Sequence, residues 1–253
     1  MKTFKMLSIL FVMLTGTFSF SAQAQNTKPT IIFVHGIWAD GSCFAAQIEA
    51  LQAKGYPVES VQNPITSLAD DVAATKRAIA RAKGNVILVG HSWGGFVITQ
   101  AGNDPKVIGL VYVAAFAPDL GETVPTLSAN GPAGTLSNYF EPQDGFIYLS
   151  KAGVQTVFAQ DLAPKQQDVI YATQIPASQT VFGDKSGEPA WKTKPSWFIV
   201  AKNDGAISPV LERFMAKRIN AKTTEIESSH VAMIARPKEV LAVIEEAANT
   251  LAK

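Results

Sequence analysis

Residues 90–94 of the chain, Gly-His-Ser-Trp-Gly, place a serine at the centre of a G-x-S-x-G motif. Apolar residues 85–89 before it predict a buried strand, and residues 95–101 after it predict the start of a helix. At a strand-to-helix turn with this spacing, the serine is held in a strained conformation that exposes its hydroxyl, and the glycines let strand and helix approach closely. The motif therefore predicts Ser92 as a nucleophile that attacks a carbonyl group.

A serine hydroxyl needs a base that takes its proton, and the chain has three histidines. His91 lies beside Ser92 in the turn, where neighbouring side chains point away from the serine, and His35 ends the first predicted strand after the N-terminal segment. His230 follows a predicted strand at residues 223–226 and precedes the last predicted helix. Because catalytic groups collect at the carboxyl ends of parallel strands, His230 is predicted to be the base.

An acid must orient the imidazole of this base, and we expect it between the serine and the histidine in the chain order Ser…Asp/Glu…His. Asp204 lies in a turn after a predicted strand at residues 196–201, and Asp119 follows a predicted strand at residues 107–115. The alternative interpretation of Asp204 is a turn residue that only favours the bend. We predict Asp204 as the acid, with Asp119 as the alternative position.

Two backbone N–H groups, those of Trp93 and Ile37, are predicted to bind the negative oxygen that forms during attack. Trp93 stands at the start of a helix, where the helix dipole favours negative charge. Ile37 lies in the loop after the first predicted strand, residues 35–38 (His-Gly-Ile-Trp), in which Trp38 is the second choice of donor. Gly36 allows the backbone to turn closely beneath a substrate.

The elements that must position these residues alternate along the chain as strands and helices, which is typical of a parallel sheet covered on both faces. Strands are predicted at residues 30–34, 58–61, 85–89, 107–115, 196–201 and 223–226. Helices are predicted at residues 42–54, 68–82, 95–101, 209–219 and 237–252. Right-handed crossovers join such strands into one doubly wound, mostly parallel sheet.

Residues 118–195 interrupt this alternation with an irregular stretch rich in Gly, Pro, Ser and Gln. Because the stretch lies between two core strands, at the end of the sheet where the serine emerges, it predicts a small cap over the site. Its aromatic residues predict either an apolar substrate pocket or the packing of the cap onto the sheet. These residues are Tyr139, Phe140, Phe146, Tyr148, Phe158, Tyr171, Phe182 and Trp191.

The N-terminal residues have the pattern of an export signal. Two lysines in the first five residues precede an apolar stretch at residues 6–20 and an A-x-A cleavage pattern that ends at Ala24. We therefore expect residues 1–24 to be a signal peptide and residues 25–253 to be a single exported domain, periplasmic or secreted, without a membrane span. A retained N-terminal anchor is the alternative.

Charge and cysteine content exclude several classes of protein. The chain has 22 basic and 21 acidic residues, and removal of Lys2 and Lys5 with the signal changes the formal charge from +1 to −1. A nearly neutral chain without basic runs lacks the electrostatic footprint for binding nucleic acid or an anionic membrane surface. The single cysteine, Cys43, allows no intramolecular disulfide and lies in an apolar context that predicts packing. We predict no cofactor and no metal.

Together these residues resemble the α/β-hydrolase superfamily, and within it they are similar to the esterase and hydroxynitrile-lyase branch, which includes small exported bacterial hydrolases. The resemblance rests on four features: residues 90–95, residues 33–36 (Phe-Val-His-Gly), Asp204, and residues 229–233 (Ser-His-Val-Ala-Met). It spans nearly all of residues 25–253 and is weakest at residues 118–195. It implies the α/β-hydrolase fold and a triad of Ser92, Asp204 and His230.

Two residues narrow the activity that this resemblance implies. Hydroxynitrile lyases of the branch carry a lysine directly after the catalytic histidine, where this chain has Val231, so a lyase loses support. Ser92 excludes the dehalogenase and epoxide-hydrolase members, which need an aspartate nucleophile. The predicted activity is hydrolysis of carboxylic esters of small apolar substrates through an acyl-enzyme. A lactonase or perhydrolase on the same triad, and a non-catalytic binding protein that keeps the fold, are the alternatives.

Overall fold

The computed structural model describes residues 28–252. In chain order its strands are β1 (Thr30–Val34), β2 (Val58–Val61), β3 (Val86–His91), β4 (Val107–Val113), β5 (Phe140–Gln143), β6 (Phe146–Leu149), β7 (Ala177–Ser178), β8 (Ser196–Ala201) and β9 (Lys222–Ile226). Six of them form a central sheet in the order β2-β1-β3-β4-β8-β9. Every neighbouring pair in this sheet is parallel.

The helices are α1 (Ala45–Ala53), α2 (Leu68–Arg81), α3 (Gly94–Ala101), α4 (Val124–Ser128), α5 (Lys151–Gly153), α6 (Pro164–Thr173), α7 (Pro209–Arg218), α8 (Ala232–Ala235) and α9 (Pro237–Leu251). Helix α2 packs against α3, whereas α1, α8 and α9 pack against one another. The chain passes from β1 to β2 on one side of β1 and then crosses back to β3 on the other side. Right-handed connections therefore place the α2–α3 pair and the group of α1, α8 and α9 on opposite faces of the sheet.

The central strands are continuous apolar runs because helices cover both faces of the sheet. Strands β1, β3 and β8 are buried along their whole length, whereas the edge strands β2 and β9 are partly exposed. Burying one such valine or isoleucine side chain stabilises the fold by about 1.5–3 kcal/mol. The doubly wound parallel sheet predicted from the sequence is confirmed, and the predicted core strands match the observed bounds to within two residues.

The two largest differences between the predicted and the observed ends of strands concern β3 and β4. Strand β3 continues through Gly90 to His91, so the motif serine follows the strand directly. Strand β4 ends at Val113 rather than at Ala115, because Ala114 has a φ of +43° and leaves the extended conformation. Both strands therefore end where the chain turns toward the carboxyl edge of the sheet.

The cap segment, residues 118–195, is more regular than its composition predicts. It carries α4, α5, α6 and a second sheet in the order β5-β6-β7, whose neighbouring strands are antiparallel. The turn between β5 and β6 consists of Asp144 (φ +49°) and Gly145 (φ +82°), the two positive φ angles of a two-residue hairpin. The prediction of an irregular stretch was wrong, because strands of two to four residues leave almost no period-2 pattern.

The order of the central strands reverses between β1 and β3. Ligands of doubly wound sheets bind outside the carboxyl ends of the strands at such a switch point. The loop after β1 and the turn after β3 meet there, and they carry Ile37 and Ser92. The predicted signal peptide, residues 1–24, lies outside the described residues. Within residues 28–252, no helix combines the length and apolarity needed to cross a membrane.

Candidate active site

Ser92 occupies a strained turn between β3 and α3. Its φ is +53°, in the left-handed region, which costs a non-glycine residue about 1–3 kcal/mol. Backbone hydrogen bonds on both sides hold it there: its N–H donates to Val113 O at 3.3 Å, and its carbonyl accepts the N–H of Phe116 at 3.1 Å. The strand-to-helix geometry that the motif predicts is therefore present.

The glycines of the motif are required by close approach. A Cβ on Gly94 would lie 2.2 Å from the carbonyl oxygen of Val34, and a Cβ on Gly95 would lie 1.9 Å from that of Phe116. Helix α3 therefore begins in contact with the last residue of β1 and with the loop that follows β4. This contact brings the N-terminus of α3 to the carboxyl edge of the sheet, where its dipole favours negative charge.

The structure brings His230 and Asp204 together. His230 Nδ1 is 2.5 Å from Asp204 Oδ2, and both side chains are buried. Asp204 Oδ1 accepts the N–H groups of Ala206 at 2.6 Å and Ile207 at 2.8 Å, which fix the carboxylate. Since the carboxylate only accepts, Nδ1 carries the proton and Nε2 is left unprotonated in the neutral imidazole.

Asp119, the alternative position for the acid, lies elsewhere. Its Oδ1 forms an ion pair with Lys192 Nζ at 2.8 Å in a partly exposed position. The hydrogen bond from Lys192 lowers the pKa of the Asp119 carboxyl. Asp119 makes no contact with His230 in the described part of the chain, so only Asp204 is placed to orient that imidazole.

Ser92 and His230 line one cavity of about 420 Å³. Ser92 Oγ makes no hydrogen bond to any residue of the described chain. In enzymes without substrate, catalytic hydrogen bonds are often long and shorten only when the substrate is bound. The serine hydroxyl is therefore available to a substrate in this cavity.

The N–H groups of Ile37 and Trp93 have no acceptor within residues 28–252, although both residues are buried and line the same cavity. Buried N–H groups are almost always paired, so two unpaired donors beside a serine are unusual. Trp38, the second choice of donor, has its N–H bound to Ile175 O at 3.1 Å and is not available. The geometry leaves Ile37 and Trp93 as donors for a substrate oxygen.

The cavity is apolar and is closed partly by the cap segment. Among the described residues, His230 is the one charged or titratable side chain that lines it. Phe140 and Phe182 of the cap line the cavity, and Phe158 packs against the His230 ring with centroids 5.0 Å apart. The predicted aromatic residues thus divide between pocket wall and packing. Within residues 28–252, no group of three His, Cys, Asp or Glu side chains is placed to hold a metal ion.

Comparison with known proteins shows the family of the chain. The model of the alpha/beta hydrolase family matches residues 31–243, most of the chain. The chain belongs to the alpha/beta hydrolase family. Because its homologues include enzymes named hydrolases and esterases, this member is an α/β-hydrolase enzyme.

Three relatives illustrate the relationship. The hydrolase is 24% identical over 245 residues to alpha/beta hydrolase nvfD of Aspergillus novofumigatus (strain IBT 16806). The aligned region covers 88% of this chain and 97% of that protein. It is 32% identical over 110 residues to the carbendazim hydrolyzing esterase of Nocardioides sp. (strain SG-4G), 38% of this chain and 46% of that protein. The crystal structure of a pyrethroid hydrolase from Sphingobium faniae JZ-2 matches with a TM-score of 0.75 at 24% identity, over 87% of this chain and 97% of that one. At this identity the structural match shows the fold alone.

His35 supports the loop that carries Ile37 in this hydrolase. Its Nδ1–H donates to Gly36 O at 2.9 Å, while its Nε2 accepts the N–H of Asn63 at 2.9 Å. Burial lowers the pKa of His35, which keeps the ring neutral in this tautomer. The sequence excluded His35 as the base but did not reveal this role, since its partner Asn63 lies in a loop after β2.

His91 supports the loop that carries His230. Its Nε2–H donates to the carbonyl oxygen of His230 at 3.0 Å, and the two rings lie 4.7 Å apart. Burial, followed by the charge of His230, lowers the pKa of His91 well below its usual range. His91 therefore holds the backbone of His230, the residue that the sequence predicts to be the base.

Asp71 of α2 holds the indole of Trp93, the residue after Ser92. The Trp93 Nε1–H donates to Asp71 Oδ2 at 2.8 Å, and the Ile65 N–H donates to Asp71 Oδ1 at 2.9 Å. Burial raises the pKa of Asp71 to about 6 against these two hydrogen bonds. Sequence reasoning missed Asp71; the available signal was an acid within the otherwise apolar face of α2.

Proposed function

We propose that this hydrolase cleaves carboxylic esters of small, uncharged, apolar substrates with Ser92 as nucleophile, His230 as base and Asp204 as the orienting acid. The observation that carries the proposal is the buried Asp204–His230 hydrogen bond at the cavity that Ser92 lines. The two unpaired N–H donors of the same cavity supply the complementary half of an acyl-transfer site.

In this mechanism Ser92 Oγ attacks the ester carbonyl carbon while His230 Nε2 takes the hydroxyl proton. Asp204 stabilises the imidazolium, and the N–H groups of Ile37 and Trp93 bind the oxyanion; a donor of this kind contributes about 2.7–4 kcal/mol to the transition state. His230 then gives its proton to the leaving alcohol, which leaves an acyl-enzyme on Ser92. Water, deprotonated by His230, attacks the acyl carbon, and the carboxylic acid leaves as Ser92 regains its proton.

The cavity supports an uncharged substrate. Its volume of about 420 Å³ suits a small molecule, and of the described residues in its wall only His230 offers an ion-pair partner to a charged one. Moving a charged group from water into such an apolar wall is unfavourable unless the group is paired. The relatives named for pyrethroid and carbendazim hydrolysis are consistent with this class of substrate.

Replacement of Ser92 by alanine tests the proposal. Because the variant lacks the attacking oxygen, its kcat for short p-nitrophenyl esters should fall at least about a thousandfold. Circular dichroism should show an unchanged fold. Undiminished hydrolysis by this variant would contradict the assignment.

The alternatives need two further measurements. A lactonase or a perhydrolase would use the same three residues, so a panel of esters and lactones, with and without hydrogen peroxide, separates them by kcat/KM. A binding protein that keeps the fold should not react with a fluorophosphonate probe. Covalent labelling at Ser92, absent in the alanine variant, is the result expected for the hydrolase.

A further inference from the structure

Glu212 is a second buried acid behind the proposed triad. It lies in the first turns of α7, and its side chain is fully buried. Its Oε2 accepts the N–H of Ala201, the last residue of β8, at 2.9 Å. That N–H has no partner on β4, because β4 turns away at Ala114. One carboxyl oxygen of Glu212 thus supplies the acceptor that the Ala201 N–H lacks at the carboxyl end of β8.

The other carboxyl oxygen is not explained by the sheet. No residue of the described chain donates a hydrogen bond to Glu212 Oε1, and this atom is buried. Asp204 lies beside Glu212, because its own N–H donates to the carbonyl oxygen of the same Ala201 at 3.1 Å, and its carboxyl faces the Glu212 side chain. Two ionised carboxylates can only accept hydrogen bonds, so both cannot be charged and satisfied in a buried contact.

Burial and the neighbouring Asp204 carboxyl together favour the neutral form of Glu212. Burial raises the pKa of Glu212 well above its usual range, and the charge and hydrogen bonding of Asp204 raise it further. The Ala201 N–H and the charge of Arg213 act in the opposite direction. Arg213 is bound through two nitrogens to Glu225, at 2.8 and 2.7 Å, and its charge is directed there.

Resting on the function proposed above, we propose that Glu212 is protonated at neutral pH and donates a hydrogen bond from Oε1 to the Asp204 carboxylate. Glu212 is then a positioning residue, because it acts on the substrate only through Asp204 and His230. The proton satisfies the orphaned oxygen and leaves one negative charge, not two, behind the imidazole. Asp204 is held from the side of α7 as well as by its own turn.

The test compares Glu212→Gln with Glu212→Leu. Glutamine keeps an oxygen that accepts from Ala201 and an amide that donates to Asp204, so kcat/KM should stay within about threefold of wild type. The acid limb of its pH profile should not move. Leucine removes both groups, and kcat should fall at least about tenfold with little change in KM.

Two results would overturn the proposal. An ionised Glu212 predicts that glutamine removes a charge near His230 and shifts the acid limb to lower pH, by about one unit or more. Full activity with an unmoved acid limb in the leucine variant would show that the donated hydrogen bond is unimportant.

Infrared spectroscopy covers the case in which the leucine variant does not fold. At pH 7 the difference spectrum between wild type and Glu212→Gln should contain the C=O stretch of a protonated carboxyl, and its absence refutes the proposal. This readout needs no turnover. It therefore distinguishes failure of this inference from failure of the proposed esterase function, which the Ser92 variant tests.

Discussion

Ser92 and Trp38 line the same cavity, and each has a positive φ, +53° and +59°. Such conformations persist only where the surrounding structure enforces them. The chain enforces them through neighbours: Val113 and Phe116 hold Ser92, and Ile175 of the cap segment accepts the N–H of Trp38. The backbone around Ser92 is therefore held in place before any substrate binds, as the proposed stabilisation of an oxyanion requires.

Replacement of Asp204 by asparagine tests the acid at the scale of a single residue. Asparagine fits the site but removes the charge that stabilises the imidazolium, and its amide can favour the wrong tautomer of His230. We expect kcat to fall by roughly a thousandfold or more, measured with a p-nitrophenyl ester. The matched control is Asp119→Asn, which breaks a surface ion pair and should leave kcat within about twofold.

The roles of residues were predicted unequally from the sequence. Ser92, Asp204 and His230 were predicted together because their type, their order and their positions after predicted strands all agreed, and the structure places Asp204 against His230 and Ser92 at the same cavity. His35, Asp71 and Glu212 were not assigned supporting roles, because the contacts that define them join residues of different elements. A lone polar residue in an apolar run does not reveal which atom it will meet.

At the scale of elements, the contact between α3 and the end of β1 determines the position of Ser92. The helix begins two residues after Ser92, and Gly94 touches the backbone of Val34. Because a methyl group has no space there, strand and helix would have to move apart. The N–H of Trp93 and the hydroxyl of Ser92 would move with them.

Replacement of Gly94 by alanine should therefore lower both stability and activity. The added Cβ would lie 2.2 Å from a carbonyl oxygen, and overpacking of this kind costs about 1–3 kcal/mol. Thermal denaturation measures the loss of stability, and kcat measures the effect of displacing Ser92. Gly183→Ala is the control, since nothing lies within 4 Å of its added methyl; equal effects in both variants would refute the packing argument.

The helices and strands were predicted with different success for a physical reason. Core strands such as β1 and β8 are buried on both faces and therefore appear as unbroken apolar runs. The cap segment lacks such runs, because its strands are short and partly exposed. The sequence of its hairpin contains one local signal. The pair Asp144-Gly145 favours a two-residue turn with positive φ at both positions.

At the scale of the whole molecule, one buried carboxyl should affect stability as a function of pH. The pKa of Asp71 is raised to about 6 in the folded chain from 3.8. The folded state therefore binds this proton more tightly than the unfolded state. The stability that Asp71 contributes is fully present below about pH 4 and is lost as the pH rises through about 6.

Replacement of Asp71 by asparagine should remove this pH dependence. Relative to the variant, the free energy of unfolding of wild type should rise by about 1 kcal/mol between pH 7 and pH 5. Urea denaturation at the two pH values measures it, and the comparison cancels other titrating groups that both proteins share. A constant difference between the two proteins would show that the folded-state pKa of Asp71 is not raised.

All three histidines of the chain lie at this site: His230 in the proposed triad, His91 against its carbonyl, and His35 beneath the Ile37 loop. An NMR spectrum of the imidazole protons therefore reports on the site alone, without background from the remaining surface. The neutral, buried rings of His35 and His91 should give fixed reference signals. The resonance that is lost in a His230→Asn variant then identifies His230 directly.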